Sequence, residues 1–205
     1  KSGDTVTRNI VIGMIALVVI SGLIFTVLDK RSSSSVALPT SIESIDSSKN
    51  GEPVVAQILP ENDYGIVFNA DLPFTIDIWE DFQCPACARF EEASGSALQG
   101  LIDAGKVRVE YRPTIFLDKN LLSSNTAAGN PNSSQRATLG FGCAVDANAA
   151  EKYHAGVFAN QPTEEGAGYS NDTLISIAES AGITGDALTT FTDCLSSEKY
   201  AGWVA

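Results

Sequence analysis

The sequence predicts an α/β chain: a sheet holding one parallel strand pair, followed by a mostly helical second half. Three observations carry this. Phe74, Ile76 and Ile78 alternate with Thr75 and Asp77, the period of two of a β-strand. At Cys84 the period changes, and Ala86, Phe90, Ala93, Ala97 and Leu101 recur at helical spacing. After a stop at Gly105-Lys106, Val107 to Tyr111 is β-rich again. A strand, a helix and a second strand imply a parallel pair joined by a right-handed crossover.

Taken in order, the chain opens with a short stub, residues 1–9. Ile10 to Leu28 follows, apolar apart from Gly13, Ser21, Gly22 and Thr26 and free of charge. At helical rise these residues span about 29 Å, close to a bilayer's hydrocarbon core. A cleaved leader has a shorter apolar region, so 10–28 is expected to be a transmembrane helix. Flanking charge does not orient it, because Lys1 and Arg8 balance Lys30 and Arg31. Residues 29–51 read as a Ser-rich tether. Val54 to Leu59 and Tyr64 to Phe68 are short elements, at least one of them a strand, and Asp71-Leu72-Pro73 is a turn. Phe74 to Trp79 is expected as a buried central strand. A helix from Cys84 to about Ala104 follows, kinked near Ser94-Gly95-Ser96. Pro113 to Ser134, rich in Asn and Ser and containing Gly129, reads as a long loop. Ser134 to Asn148, Ala149 to Asn160, Ser170 to Ala181 and Gly185 to Leu195 read as helices. Ser170 or Asn171 suits an N-cap, and Gly182 the residue past a helix end.

Composition narrows the function. The chain has 205 residues, 44% hydrophobic and 19% charged, which suits one globular domain with appendages. Its net charge is −12, and beyond residue 31 nine basic residues face 23 acidic ones. Nucleic acid is an unsuitable partner, since phosphate binding needs a basic face.

The chemistry sits in Cys84-Pro85-Ala86-Cys87, where a strand hands over to a helix. Pro85 fits the first turn, where its missing N–H costs nothing. A thiolate at a helix N-terminus is stabilised by unpaired N–H groups and the macrodipole, and the thiolate is the species that exchanges disulfides. Cys84, the outer residue, is the expected attacking sulfur. Cys87, one turn in, is placed to resolve a mixed disulfide. Zinc held by these cysteines would need two further ligands; no second C-x-x-C or C-x-x-H exists and His154 is the only histidine. No cofactor is expected. Cys143 and Cys194 remain, as a structural disulfide or as two buried thiols. An even cysteine count beside a membrane segment favours an oxidising compartment, so the domain is expected outside the plasma membrane and the stub in the cytoplasm.

Two acids precede the cysteines. A carboxylate at Asp81 would accept a proton from Cys87 or oppose ionisation of Cys84 by like charge. Glu80 reads as a solvated loop acid. Asp77 is a lesser candidate for an inward proton relay. His154 reads as a structural or surface histidine, and Tyr153, Val157 and Phe158 as core.

The run Asp77-Ile78-Trp79-Glu80-Asp81-Phe82-Gln83-Cys84-Pro85-Ala86-Cys87 resembles the active-site segment of the DsbA-like branch of the thioredoxin superfamily. The likeness continues through Gly105 to Pro113 and covers roughly residues 52–205. The tether and the extra cysteine pair resemble actinobacterial members. The resemblance implies a thioredoxin-like fold whose first half is 52–118, with a helical insertion at 119–205. It implies a thiol–disulfide oxidoreductase acting on protein thiols and disulfides through Cys84 and Cys87, with Pro85, Ala86 and Asp81 in support. Pro-Ala between the cysteines implies a milder oxidant than Pro-His relatives. The family's fold continues with a cis-proline loop, two strands and a helix. Trp203-Val204-Ala205 falls where that ββα half should begin, so the sequence is expected to be part of a longer chain. The alternative is a non-catalytic accessory subunit, since actinobacterial respiratory supercomplexes of cytochrome bc and aa3 oxidase carry thioredoxin-like subunits that this chain resembles. Copper delivery fits less well, because the superfamily's copper chaperones use C-x-x-x-C with a distant histidine.

Overall fold

The computed structural model describes residues 56–58 and 65–204. The expected membrane helix at 10–28 and the tether at 29–51 lie outside the described residues. Among the described residues no helix is long and apolar enough to cross a membrane.

Among the described residues, β1 (Gln57–Ile58), β2 (Ile66–Phe68), β3 (Thr75–Glu80) and β4 (Arg108–Pro113) form one sheet in the order β1-β2-β4-β3. β1 pairs antiparallel with β2, and β2 pairs antiparallel with β4. β3 pairs parallel with β4, placing Ile78 opposite Tyr111 and Glu80 opposite Pro113. The parallel pair and its helical crossover are therefore as the sequence predicts, but the strand expected at the centre is not there. Among the described residues β3 is an edge strand, and β4 lies between β2 and β3. Trp79 is 67% exposed and Phe74, just before the strand, 69%. Thr75, Asp77 and Trp79 point outward, while Ile78 and Glu80 are buried. β4 buries Val109, Glu110 and Tyr111 in succession. Its one buried charge, Glu110, is paired with Arg108 at 3.3 Å and Arg112 at 2.6 Å, as burial of a carboxylate requires.

The crossover is not one helix. α1 (Pro85–Phe90) runs into a π-helical turn, Glu91–Gly95, and then α2 (Ser96–Asp103). The sequence places a kink in the same region; the structure achieves the change of direction by widening one turn.

Beyond β4 the chain is helical: α3 (Phe116–Ala127), α4 (Ser133–Asp146), α5 (Ala150–Ala159), α6 (Asn171–Ser180), α7 (Asp186–Ser196) and the short α8 (Ala201–Val204). α3 occupies a stretch that reads as loop. The residues it buries are Asp118 and Asn125, so its inward face is polar and gives no apolar period. α4 is the spine of this half, with Ala137 to Val145 buried without a break. A Cβ at Gly140 would lie 2.0 Å from the Tyr153 hydroxyl, so only glycine lets α5 come this close. Cys143 in α4 and Cys194 in α7 are disulfide-bonded, with Cα atoms 6.0 Å apart. Ser170 caps α6 by accepting the Thr173 N–H at 3.0 Å, and Gly182 past its end has φ +98°. Both halves contribute to one core, in which Phe82 and Tyr111 meet Phe141 edge-on.

Candidate active site

Cys84 ends the extended run out of β3 and caps α1 with φ −78° and ψ 117°. Pro85 occupies the first helical turn, and the Ala88 N–H bonds back to the Cys84 carbonyl at 3.1 Å. Cys84 and Cys87 are free thiols, each half-buried, while Pro85 and Ala86 between them are exposed. The Cys87 thiol is pushed up to about 12 by burial, by its hydrogen bond with Cys84 and by the charges of Cys84 and Glu80, against a backbone hydrogen bond from Asp81. One sulfur of the pair is thus held as a thiol.

The loop that presents Cys84 is braced from below. Asp81 is fully buried, and its carboxylate accepts from the Gln83 N–H at 2.9 Å, the Leu117 N–H at 3.0 Å and the Ser134 hydroxyl at 2.6 Å. Its carbonyl accepts the Cys84 N–H at 2.8 Å. Burial pushes the Asp81 carboxyl up, against those hydrogen bonds. Gln83 extends the brace: its amide donates to Asp118 and Ser134 at 3.1 and 2.8 Å, and Asn125 donates to its oxygen at 2.9 Å. From the helical half, Gln161 donates to the carbonyls of Phe82 (2.8 Å) and Cys84 (3.2 Å), and Tyr169 donates to that of Phe82 (2.9 Å). The insertion therefore fixes the backbone on which the reactive sulfur sits. Fixed backbone is what a positioned nucleophile needs.

Behind Cys87 lies a group that the sequence reading missed. Glu80, read as a solvated loop acid, is 2% exposed, and His154 is 3% exposed. The two side chains are directly hydrogen-bonded. Phe82, Tyr111, Phe141 and Phe158 surround the imidazole, with Tyr111 4.4 Å away between ring centroids. Burial works against the imidazolium, but the Glu80 charge and hydrogen bond, with Glu91 and Glu151 beyond, outweigh it and push His154 up. Glu91 opens the π-helical turn, and burial followed by the Glu80 charge pushes its carboxyl up, against His154. The signal for Glu80 was present: Ile76, Ile78 and Glu80 share the inward face of one strand, so the same period of two predicts it buried. Nothing in the sequence links it to His154, 74 residues away. Asp77, on the other face, is exposed and pairs with Arg112 at 3.4 Å. It has no place in a buried relay.

A cleft of about 820 Å³ opens beside the cysteines, lined among others by Pro85, Glu91, Tyr111, His154, Phe158 and Thr163.

Comparison with known proteins agrees with this geometry. The chain is similar to two Mycobacterium tuberculosis structures: the reduced form of a disulfide bond oxidoreductase, DsbG (30% identity, TM-score 0.52), and oxidised DsbA (31%, TM-score 0.53). Each match covers 63% of this chain, with 59% of the DsbG chain and 63% of the DsbA chain. The chain thus spans less than two-thirds of the length of either. It shares its fold with MdbA, a thiol-disulfide oxidoreductase from Corynebacterium diphtheriae (21% identity, TM-score 0.56, covering 79% of this chain and 81% of that one). No curated protein matched in sequence. A family model described as thioredoxin matches residues 67–205, from β2 through the cysteine pair to the end of the helical half. The chain belongs to the thioredoxin family.

Proposed function

We propose that this protein is a DsbA-type thiol–disulfide oxidoreductase acting on protein thiols and disulfides. The observation that carries the reading is the half-exposed cysteine pair at the start of α1, on a loop braced by Asp81, Gln161 and Tyr169. With the pair oxidised, a substrate thiolate attacks the Cys84 sulfur, breaking its bond to Cys87 and forming a mixed disulfide. A second substrate thiolate then attacks the substrate sulfur, releasing Cys84. The substrate gains a disulfide, and the pair takes two electrons and becomes a dithiol. Run in reverse, the mixed disulfide is resolved by Cys87, which must first lose its proton. The carboxylate of Asp81 is occupied by three donors. A backbone hydrogen bond from Asp81 favours that loss, and the Glu80 charge opposes it.

The apolar run at 10–28 supports a single-pass anchor in the plasma membrane, and the cysteine usage supports a domain on its outer side. A peptide-thiol oxidation assay of the full chain in mild detergent, with Cys84→Ser as control, tests the activity. A rate no greater than that of the control removes this reading. An accessory role in a respiratory complex would then stand, and co-purification with haem proteins would test it.

A further inference from the structure

We propose that Glu80, Glu91 and His154 form a binding site for one divalent cation of the zinc class, reached from the cleft beside the cysteine pair. One carboxylate oxygen from each glutamate and one ring nitrogen of His154 lie within 4.8 Å of one another. Zinc sits about 2.0–2.2 Å from such nitrogen and oxygen ligands, which spaces the ligand atoms by roughly 3–3.6 Å. Reaching that spacing draws the ligand atoms together by at most about 1–2 Å.

A second observation, independent of the clustering, points to an occupant. Glu80 Oε2 and Glu91 Oε1 are buried and accept no hydrogen bond. Glu80 is 2% exposed, so bulk solvent does not replace the missing donor. Buried carboxylate oxygens are almost always satisfied, and these two belong to the same pair of glutamates that meets the imidazole.

The donor set selects the ion. An imidazole with two carboxylates suits zinc and its neighbours better than magnesium or calcium, which prefer oxygen alone. Three protein ligands leave a fourth position, and both Glu91 and His154 line the cleft, the side from which an ion would enter. The ligands come from three different elements. Glu80 ends a strand and His154 sits in α5 among aromatic rings, whereas Glu91 begins the π turn. Such turns inside α-helices recur at functional sites.

The site does not depend on the redox reading, and its test removes the cysteines. Zinc chloride is titrated into the full chain carrying Cys84→Ser and Cys87→Ser, by calorimetry and by metal analysis after equilibrium dialysis. One zinc per chain is expected. Binding at least tenfold weaker is expected on adding Glu91→Ala, which shortens a half-buried side chain within a helix. His154→Gln should weaken it as much; if that variant unfolds, Glu91→Ala decides alone. No stoichiometric zinc in the parent, or an affinity that Glu91→Ala leaves unchanged, overturns the assignment.

Discussion

Replacing His154 by leucine keeps the side chain apolar and of similar bulk but leaves Glu80 without its partner. The carboxylate would then sit 2% exposed, with Oε1 newly orphaned and Oε2 already lacking a donor. Breaking a buried pair from one side costs about 3–5 kcal/mol, because one charge stays buried and uncompensated. Replacing both partners by apolar groups of similar volume is often neutral. The double variant Glu80→Leu, His154→Leu should therefore be more stable than His154→Leu alone, recovering most of the loss. Urea unfolding followed by circular dichroism, in buffer containing a chelator, measures this. With a slope of about 2 kcal/mol per molar urea, the single variant's midpoint should fall by roughly 2 M. If His154→Leu costs under 1 kcal/mol, or if the two substitutions simply add, Glu80 and His154 are not a coupled buried pair. The account of the region behind Cys87 would then be wrong.

Two further outcomes are expected. The Cys143–Cys194 bridge spans 51 residues, and in the chain-entropy model closing such a loop stabilises by about 4 kcal/mol. Replacing both cysteines by serine should lower stability by that order, read from the same urea midpoints, and an unchanged midpoint would contradict it. The Cys87 thiol, ordinarily near 9, is pushed up to about 12. A thiol with a raised value stays protonated and unreactive until pH approaches that value, so iodoacetamide at pH 8 should label Cys84 well ahead of Cys87. Peptide mass spectrometry locates the label, and equal labelling would sink the claim.

Much of this architecture is legible in residue order, for reasons that particular elements make clear. β3 and the crossover announce themselves through a period of two that gives way to helical spacing at Cys84. The α6 limits follow from Ser170 and Gly182, whose roles as cap and left-handed stop are local. What stays hidden is whatever depends on partners distant in sequence. α3 reads as loop because it buries Asp118 and Asn125 against the brace of Gln83 and Ser134, not an apolar stripe. β3 reads as central because Trp79 and Ile78 are strand formers, although strand propensity carries no information about which edges are paired. Gln161 and Tyr169 give no signal at all: a glutamine and a tyrosine become part of the site only once the helical half folds against the loop. The cysteine pair is legible because its chemistry is local. The acid and histidine behind it are not, because their chemistry is made by packing.

The most direct measurement is to trap the intermediate. The reduced full chain carrying Cys87→Ser is mixed with glutathione disulfide, and intact and peptide mass spectra are recorded. The Cys84 thiolate should attack one glutathione sulfur, expel the other as its thiolate and keep a single glutathione on Cys84. The unsubstituted chain should instead release it and close the Cys84–Cys87 disulfide. Failure of Cys84 to form the adduct, while a small exposed thiol under the same conditions does, would contradict the central claim that this pair exchanges disulfides.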